Sequence, residues 1–402
     1  MPSHRLRTAF FLAGFVLACV SLSVSADEKK AVYGGMLGHQ AIVMELGSGD
    51  GDGLDGRYFY RRHHRDLLLT DRTGTADHVH LFEGSDDDSP RPEIDLVRQP
   101  DGHWTGTWRS PQGKTLALTL QPAIVPPPAA DAPDYLKQLR LKDPYEYLRL
   151  SGLTLHAGPR TTFMGHTLQW WTEADSKITL FDIVDGYPDD QRRRLNGVLM
   201  DRLWNEVSSF YACMAGASGH GEGDYEQTVT PHLMTPSLFS VSLLTSYDCG
   251  GAHPDFGDGP LNLDARTARP LTLEDILWLG KGMPFHYNDS EDDAPAADGE
   301  PNSVDFDAFS AYRTKSLSPW LAQQFATLYP AKMTSGNADE DECGYDDPSV
   351  WEFPSWHMET GGLFIGPSFA RVARVCEAND DWSLLPWAVV KQHPGRLRLA
   401  LP

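Results

Sequence analysis

The sequence has few cysteines, few basic residues and no long apolar run after its first 26 residues. Its five cysteines include no Cys-x-x-Cys pair, which argues against a zinc ribbon and a thioredoxin-like redox site. No later apolar run reaches the roughly 18 residues of a membrane helix. Neither a His-Glu-x-x-His motif nor a Walker phosphate loop occurs. We therefore expect no membrane-spanning helix and no cofactor.

Basic residues are too few to balance the acidic ones. The 402 residues include 34 Lys and Arg against 56 Asp and Glu, a formal net charge of −22. The negative electrostatic potential of such a protein repels nucleic acid and anionic lipid and attracts cationic partners. We therefore predict a cationic protein as partner and no nucleic-acid binding, although surplus acid also serves solubility alone. The 41% of hydrophobic residues indicates a folded chain, and a length of 402 residues suggests two or three domains.

The first 26 residues have the pattern of an export signal. Two arginines precede an apolar run, and Val24-Ser25-Ala26 supplies the small residues of a cleavage site. Loss of these arginines with residues 1–26 would take the charge to −24. We predict a periplasmic or other cell-envelope location. A second interpretation stays open, in which Val16-Leu17-Ala18-Cys19 is a lipoprotein signal and Cys19 carries the only membrane anchor.

Four cysteines remain after residue 26, and an even number in an oxidising compartment predicts disulfides. Four cysteines can form two disulfides in three different ways, and the sequence alone does not decide among them. We favour Cys213–Cys249 with Cys343–Cys376, because each bond then closes a loop of about 35 residues, worth roughly 3–4 kcal/mol.

The chain divides by pattern into an all-β part and an α+β part. Short β-type runs separated by glycine turns over residues 27–123 predict a small antiparallel barrel or sandwich. Residues 124–160 read as a proline-rich linker followed by a partly helical connector. Residues 161–402 mix helices and strands. Apolar residues at three- and four-residue spacing, including Leu195, Leu199 and Leu203, predict an amphipathic helix of about 22 residues that ends near Cys213. The pattern also predicts a helix over 306–328 and a strand over 369–375. The predicted fold class is α+β.

Several motifs in about residues 160–402 carry a family resemblance. They are Gly250-Gly251-Ala252-His253-Pro254, Asn262-Leu263-Asp264, Pro270-Leu271-Thr272-Leu273-Glu274-Asp275 and the segment that starts at Thr360-Gly361-Gly362. This part resembles the extracellular domain of RsiV, the lysozyme-sensing anti-sigma factor, which also occurs in secreted mycobacterial antigens and beside some peptidoglycan deacetylases. The resemblance implies an RsiV-like domain and a lysozyme-like partner. Without a sigma-binding segment or membrane helix, we do not expect an anti-sigma role.

Three residues in or near these motifs are candidates for acid/base chemistry. His253 lies in the glycine turn, and Asp255 and Asp264 follow it. A histidine held by backbone hydrogen bonds in a tight turn is the preferred interpretation of His253, and no serine or cysteine stands at a spacing that completes a triad.

Two acidic segments are candidates for binding. Asp50, Asp52 and Asp55 lie in a glycine-rich stretch that suits hard cations, but their spacing departs from a calcium loop, so a solvated turn is preferred. We interpret the run Asp339-Glu340-Asp341-Glu342 either as a solvated loop or as an acidic segment that attracts a basic protein electrostatically.

Two functional hypotheses follow from the sequence. The first is an exported, non-enzymatic envelope protein that binds, and thereby inhibits, a lysozyme-like or other peptidoglycan-degrading enzyme. The second is a cell-wall glycan-binding module or hydrolase that acts on peptidoglycan. In this second case aromatic residues such as Tyr58 and Trp104 would stack on sugars, whereas the simpler interpretation packs them inside the β domain.

Overall fold

The computed structural model describes residues 30–47, 56–84, 90–218, 223–285, 287, 303–333, 343–377, 382–398 and 400–402. Among them, no helix is long and apolar enough to cross a membrane.

Eight antiparallel strands form a closed barrel at the start of the described chain. Each strand pairs with the next, and the eighth pairs with the first. Alternating side chains fill the interior: Ile94 and Leu96 are fully buried while Asp95 between them is half-buried. Tyr58 and Trp104 also lie in this core. The strands are β1 (Ala31–Leu37), β2 (Gln40–Leu46), β3 (Gly56–Tyr60), β4 (Asp66–Thr75), β5 (His78–Glu83), β6 (Glu93–Arg98), β7 (Trp104–Arg109) and β8 (Thr115–Pro122).

Two short helices, α1 (Asp134–Lys142) and α2 (Pro144–Leu150), form the connector. Asp143 starts α2 by accepting a hydrogen bond from the Glu146 N–H at 3.0 Å. Tyr145 and Leu148 pack on the barrel, and other side chains of the connector join the core of the following part. The connector is therefore packed against both parts.

The long helix α3 (Asp189–Ala217) packs on two antiparallel sheets, and it is longer than predicted. Its predicted apolar stripe is buried, including Leu195, Leu199 and Leu203. The helix continues past Cys213 because the next residues, Met-Ala-Gly-Ala, include good helix formers. The first sheet contains β9 (Leu155–Phe163), β10 (His166–Glu173) and β11 (Thr179–Asp185), and the second contains β12 (Asp224–Met234), β13 (Leu238–Asp248), β14 (Asp255–Asp258), β15 (Leu261–Asp264) and β16 (Arg269–Pro270).

A second helical cluster and a third small sheet complete the described chain. The predicted helix over 306–328 is present, with a π-helical turn at Arg313–Leu317 just before Pro319, where the missing N–H breaks the regular ladder. The elements are α4 (Leu273–Ile276), α5 (Phe306–Tyr312), α6 (Ser318–Leu328), β17 (Ser355–Met358), β18 (Gly362–Gly366), β19 (Leu384–Pro386) and α7 (Trp387–Val390), with 3-10 turns at Pro348–Trp351 and Arg371–Glu377.

The strand predicted over 369–375 is wrong, because Arg371–Glu377 is 3-10 helical. Phe369, Val372 and Val375 recur every third residue, which matches three residues per turn rather than the two-residue period of a strand. Val372 and Val375 are exposed, so this apolar pattern does not mark a buried face.

Both favoured disulfides are present. Cys213–Cys249 joins the last turns of α3 to the chain just after β13, and Cys343–Cys376 anchors the 3-10 turn at Arg371–Glu377. With its barrel followed by mixed helices and sheets, the described chain is α+β, as predicted.

Candidate functional site

The strand β13 presents two chemically different faces. Val241 and Leu243 are buried in the core with α3, whereas Ser242, Leu244 and Ser246 alternate with them and point the other way. The start of this second face is covered by β17, where the Ser240 hydroxyl accepts from the Met358 N–H at 3.0 Å. Past that point the face is open, and it forms the floor of a cleft.

We call this cleft the central groove. Its volume is about 600 Å³, and it lies among β12, β13, β14, β17, β18 and the 3-10 turn after β18. Phe256, Phe353 and Phe364 contribute aromatic surface, and hydroxyl groups cover much of the floor. A cleft that combines apolar walls with a few polar groups is the usual form of a ligand site. The remaining lining residues are Thr228, Thr230, Ser242, Leu244, Ser246, Gly257, Asp258, Ser355, His357, Gly366, Pro367, Ser368, Arg374 and Glu377.

One wall of the central groove is held by arginines of the 3-10 turn. The Nε of Arg374 lies 3.1 Å from the Asp255 carboxylate, and the Arg371 guanidinium lies 3.8 Å from the same carboxylate. Both arginines converge on this carboxylate from the two sides of a kink in the segment. Arg374 also lies over the Phe256 ring at 5.2 Å. The adjacent Cys376 is tied to Cys343, so a disulfide fixes this wall.

A row of polar groups leads from the groove floor to its edge. The Ser242 hydroxyl donates to Asp258 at 3.0 Å and lies 3.4 Å from Nδ1 of His357. Nε2 of His357 lies 3.1 Å from Oε1 of Glu359, and Nδ1 of His232 lies 3.8 Å from the same oxygen. The row therefore joins two carboxylates through a hydroxyl and an imidazole.

The His357 ring is clamped between two other rings. The His232 ring stacks on one side at 3.7 Å and the Phe364 ring on the other at 4.6 Å. Burial lowers the pKa of His357 to about 4, and burial together with the neighbouring His357 lowers the pKa of His232 to about 4. Burial also raises the pKa of Asp258. Both imidazoles are thus neutral at neutral pH, with lone pairs available to accept a proton or bind a metal.

The sequence-predicted acid/base residues lie apart from this row. His253 is an exposed loop residue whose carbonyl accepts from Arg371 at 3.5 Å. Asp255 is engaged by the arginines of the groove wall, while Asp264 is bonded to Arg266 at 2.9 Å. Tyr247 and Leu238 of β13 oppose Asp255 and Asp264, respectively, which places the two carboxylates about 30 Å apart along the strand. They cannot act together on one bond.

The other candidate residues lie outside the residues that the structure describes. They are Cys19, Asp50, Asp52, Asp55, Asp339, Glu340, Asp341 and Glu342. In sequence the last four directly precede Cys343, whose disulfide partner belongs to the groove wall.

Sequence reasoning missed Ser242, Asp258, His232, His357 and Glu359. The only local signal is the spacing of His357 and Glu359, two residues apart, which places both side chains on one side of an extended segment. Nothing in the sequence pairs them with His232 on β12.

Comparison with known proteins adds no assignment. No model of a known protein family matches the chain, and no curated protein matches it. The resemblance to the RsiV extracellular domain therefore stays a prediction.

Proposed function

We propose that this chain is an exported binding protein of the cell envelope whose central groove docks a cationic protein, such as a lysozyme-like peptidoglycan hydrolase. The observation that carries the proposal is the groove itself: an open cleft of about 600 Å³ with aromatic walls and a hydroxyl-rich floor. The acidic run at 339–342 immediately precedes the cysteine bonded to the groove wall, and the chain carries a net charge of −22. The resemblance to RsiV points to the same class of partner.

Location and inhibition belong to the same proposal. The export-signal pattern of residues 1–26 and the two disulfides support a periplasmic or other extracytoplasmic site of action. Lipidation at Cys19 stays the second interpretation of the export signal. A hydrolase held by this protein would be kept from the cell wall, which makes inhibition the expected consequence of binding.

The direct test is calorimetric titration of the protein with a panel of lysozymes and other peptidoglycan hydrolases at two salt concentrations, together with a cell-wall lysis assay. We expect binding that weakens at high salt, with reduced lysis.

The variant Leu244→Arg tests the groove floor. It should weaken binding at least about tenfold, because it places a positive charge on the exposed floor that would face the cationic partner. Leu141→Arg, on an exposed side chain of α1, is the matched control and should bind normally. The proposal would be refuted if no hydrolase of the panel bound the protein, or if the two variants bound their partner equally well.

The acidic run should govern the rate of association. Changing residues 339–342 to Asn and Gln is expected to slow association about tenfold at low salt with little effect on dissociation, because long-range electrostatic attraction raises the encounter rate more than it slows dissociation. Stopped-flow or surface-binding kinetics measure both rates. Changing Asp289, Glu291, Asp292 and Asp293 to Asn and Gln removes the same four charges from another acidic segment and controls for net charge alone. An unchanged association rate would remove this run from the binding surface.

A second candidate function is hydrolysis of cell-wall material, and the Ser242, His357 and Glu359 row favours it. A serine beside a neutral imidazole whose other nitrogen meets a carboxylate has the ingredients of nucleophilic catalysis. If the purified protein releases fragments from peptidoglycan, Ser242→Ala should lower that rate at least about 100-fold, whereas Ser246→Ala, two residues along the same groove face, should not. Equal rates for the two variants would exclude Ser242 as nucleophile, and an inactive wild-type protein would exclude this function.

A further inference from the structure

Three side chains at the edge of the central groove have the composition of a metal site. They are His232 on β12, His357 on β17 and Glu359 just after β17. One donor atom from each lies within 4.8 Å of the other two. The His357 side chain is 8% exposed, that of His232 17% and that of Glu359 38%, so the cluster is sheltered yet reachable from solvent. Two segments that are distant in sequence, the end of β12 and the end of β17, bring these donors together.

The hydrogen bonds of Ser242 allow a tautomer of His357 in which two hydrogen-bond acceptors, one from His357 and one from Glu359, face each other. Ser242 has one hydroxyl proton, and the carboxylate of Asp258 at 3.0 Å is a nearer acceptor than His357 at 3.4 Å. The Ser242 oxygen is then free to accept from the Nδ1–H of His357. That tautomer turns the Nε2 lone pair toward a carboxylate oxygen 3.1 Å away. In this tautomer, a cation between the two acceptors would satisfy both.

We infer that His232, His357 and Glu359 bind a divalent transition-metal ion, with zinc the best match. Two imidazoles and one carboxylate form a donor set that zinc uses when it keeps a fourth position open. Ser242 and, behind it, Asp258 form the outer support that orients a ligating histidine through its second nitrogen.

The stacked rings define the one movement that binding needs. The planes of His232 and His357 are 19° apart at a centroid distance of 3.7 Å, so the lone pairs of the two rings lie in separate, nearly parallel planes. His357 is clamped by Phe364 on its other face, whereas His232 is the more exposed of the two histidines. Rotation of the His232 ring therefore lets both nitrogens meet one ion while His357 stays in place.

The test is zinc binding by the untagged chain after removal of metal with a chelator. Equilibrium dialysis with elemental analysis should find one zinc per chain, and Co²⁺ in its place should give the visible absorption of a four-coordinate site. Glu359→Gln, the least buried ligand change, and His232→Asn should each weaken binding at least about 100-fold, and Ser242→Ala about 10- to 100-fold. His253→Asn, on an exposed loop, is the matched control and should bind like the wild type.

Thermal melts of each metal-free variant separate loss of the site from loss of the fold. The inference is overturned if the wild-type chain binds no zinc. It is equally overturned if zinc binding survives both Glu359→Gln and His232→Asn, since the ion would then lie elsewhere. Neither result depends on the proposed protein partner, so the two proposals fail separately.

Discussion

Arg149→Met is expected to lower the free energy of unfolding by about 3–5 kcal/mol, because it removes one partner of a fully buried ion pair. Arg149 on α2 is completely buried and lies 2.6 Å from Asp66 of the barrel strand β4. It also donates to the His64 carbonyl at 2.7 Å, and the Tyr145 hydroxyl donates to Asp66 at 2.5 Å. Methionine fills similar space without charge, so Asp66 would remain buried with only part of its compensation.

Thermal and denaturant unfolding followed by circular dichroism measure this effect, expected as a drop of roughly 10 °C in the midpoint. Arg193→Met is the matched control, because the ion pair of Arg193 with Asp190 is about three-quarters exposed and contributes less than about 1 kcal/mol. Adding Asp66→Asn to Arg149→Met should recover part of the loss, because it removes one of the two buried carboxylates that Arg149 contacts, the other being Glu146 at 3.1 Å. Equal midpoints for Arg149→Met and Arg193→Met would contradict this account.

Local pattern predicted much of the fold, because strand and helix periodicity is set by near neighbours. The spacing of Leu195, Leu199 and Leu203 marks the buried stripe of α3 without any knowledge of its partners. Closure of the barrel was beyond such reasoning, since pairing of β1 with β8 joins residues at opposite ends of the domain. For the same reason the sequence left barrel and sandwich open.

The candidate site was mostly hidden from the sequence because its groups come from separate strands. Ser242 reads as an ordinary small residue in a β-run, and only the packing of β17 beside β13 brings His357 to it. The strand predicted over 369–375 was wrong, and it concealed that Arg371 and Arg374 both contact Asp255. Long-range geometry, rather than local preference, creates the groove.

The two disulfides should have similar effects on stability and different effects on binding. Cys213–Cys249 spans 36 residues and Cys343–Cys376 spans 33. Chain entropy therefore predicts a loss of about 3–4 kcal/mol when either pair is changed to alanine, because the loops are nearly equal. Reversible denaturant unfolding of the two double variants measures this.

Binding should separate the two variants, because only one bond holds the groove wall. Cys376 directly precedes Glu377 of the groove lining, and its carbonyl accepts from the Tyr345 hydroxyl at 2.9 Å. Releasing Cys343–Cys376 frees the turn that carries Arg374, so it should weaken docking of the proposed cationic partner at least about tenfold under conditions where the variant remains folded. The Cys213–Cys249 variant is the control of equal stability loss, since that bond lies at the end of α3. If both variants bound equally well, the wall would not contribute to the binding site, and the groove would have to recognise its partner through β12 and β13 alone.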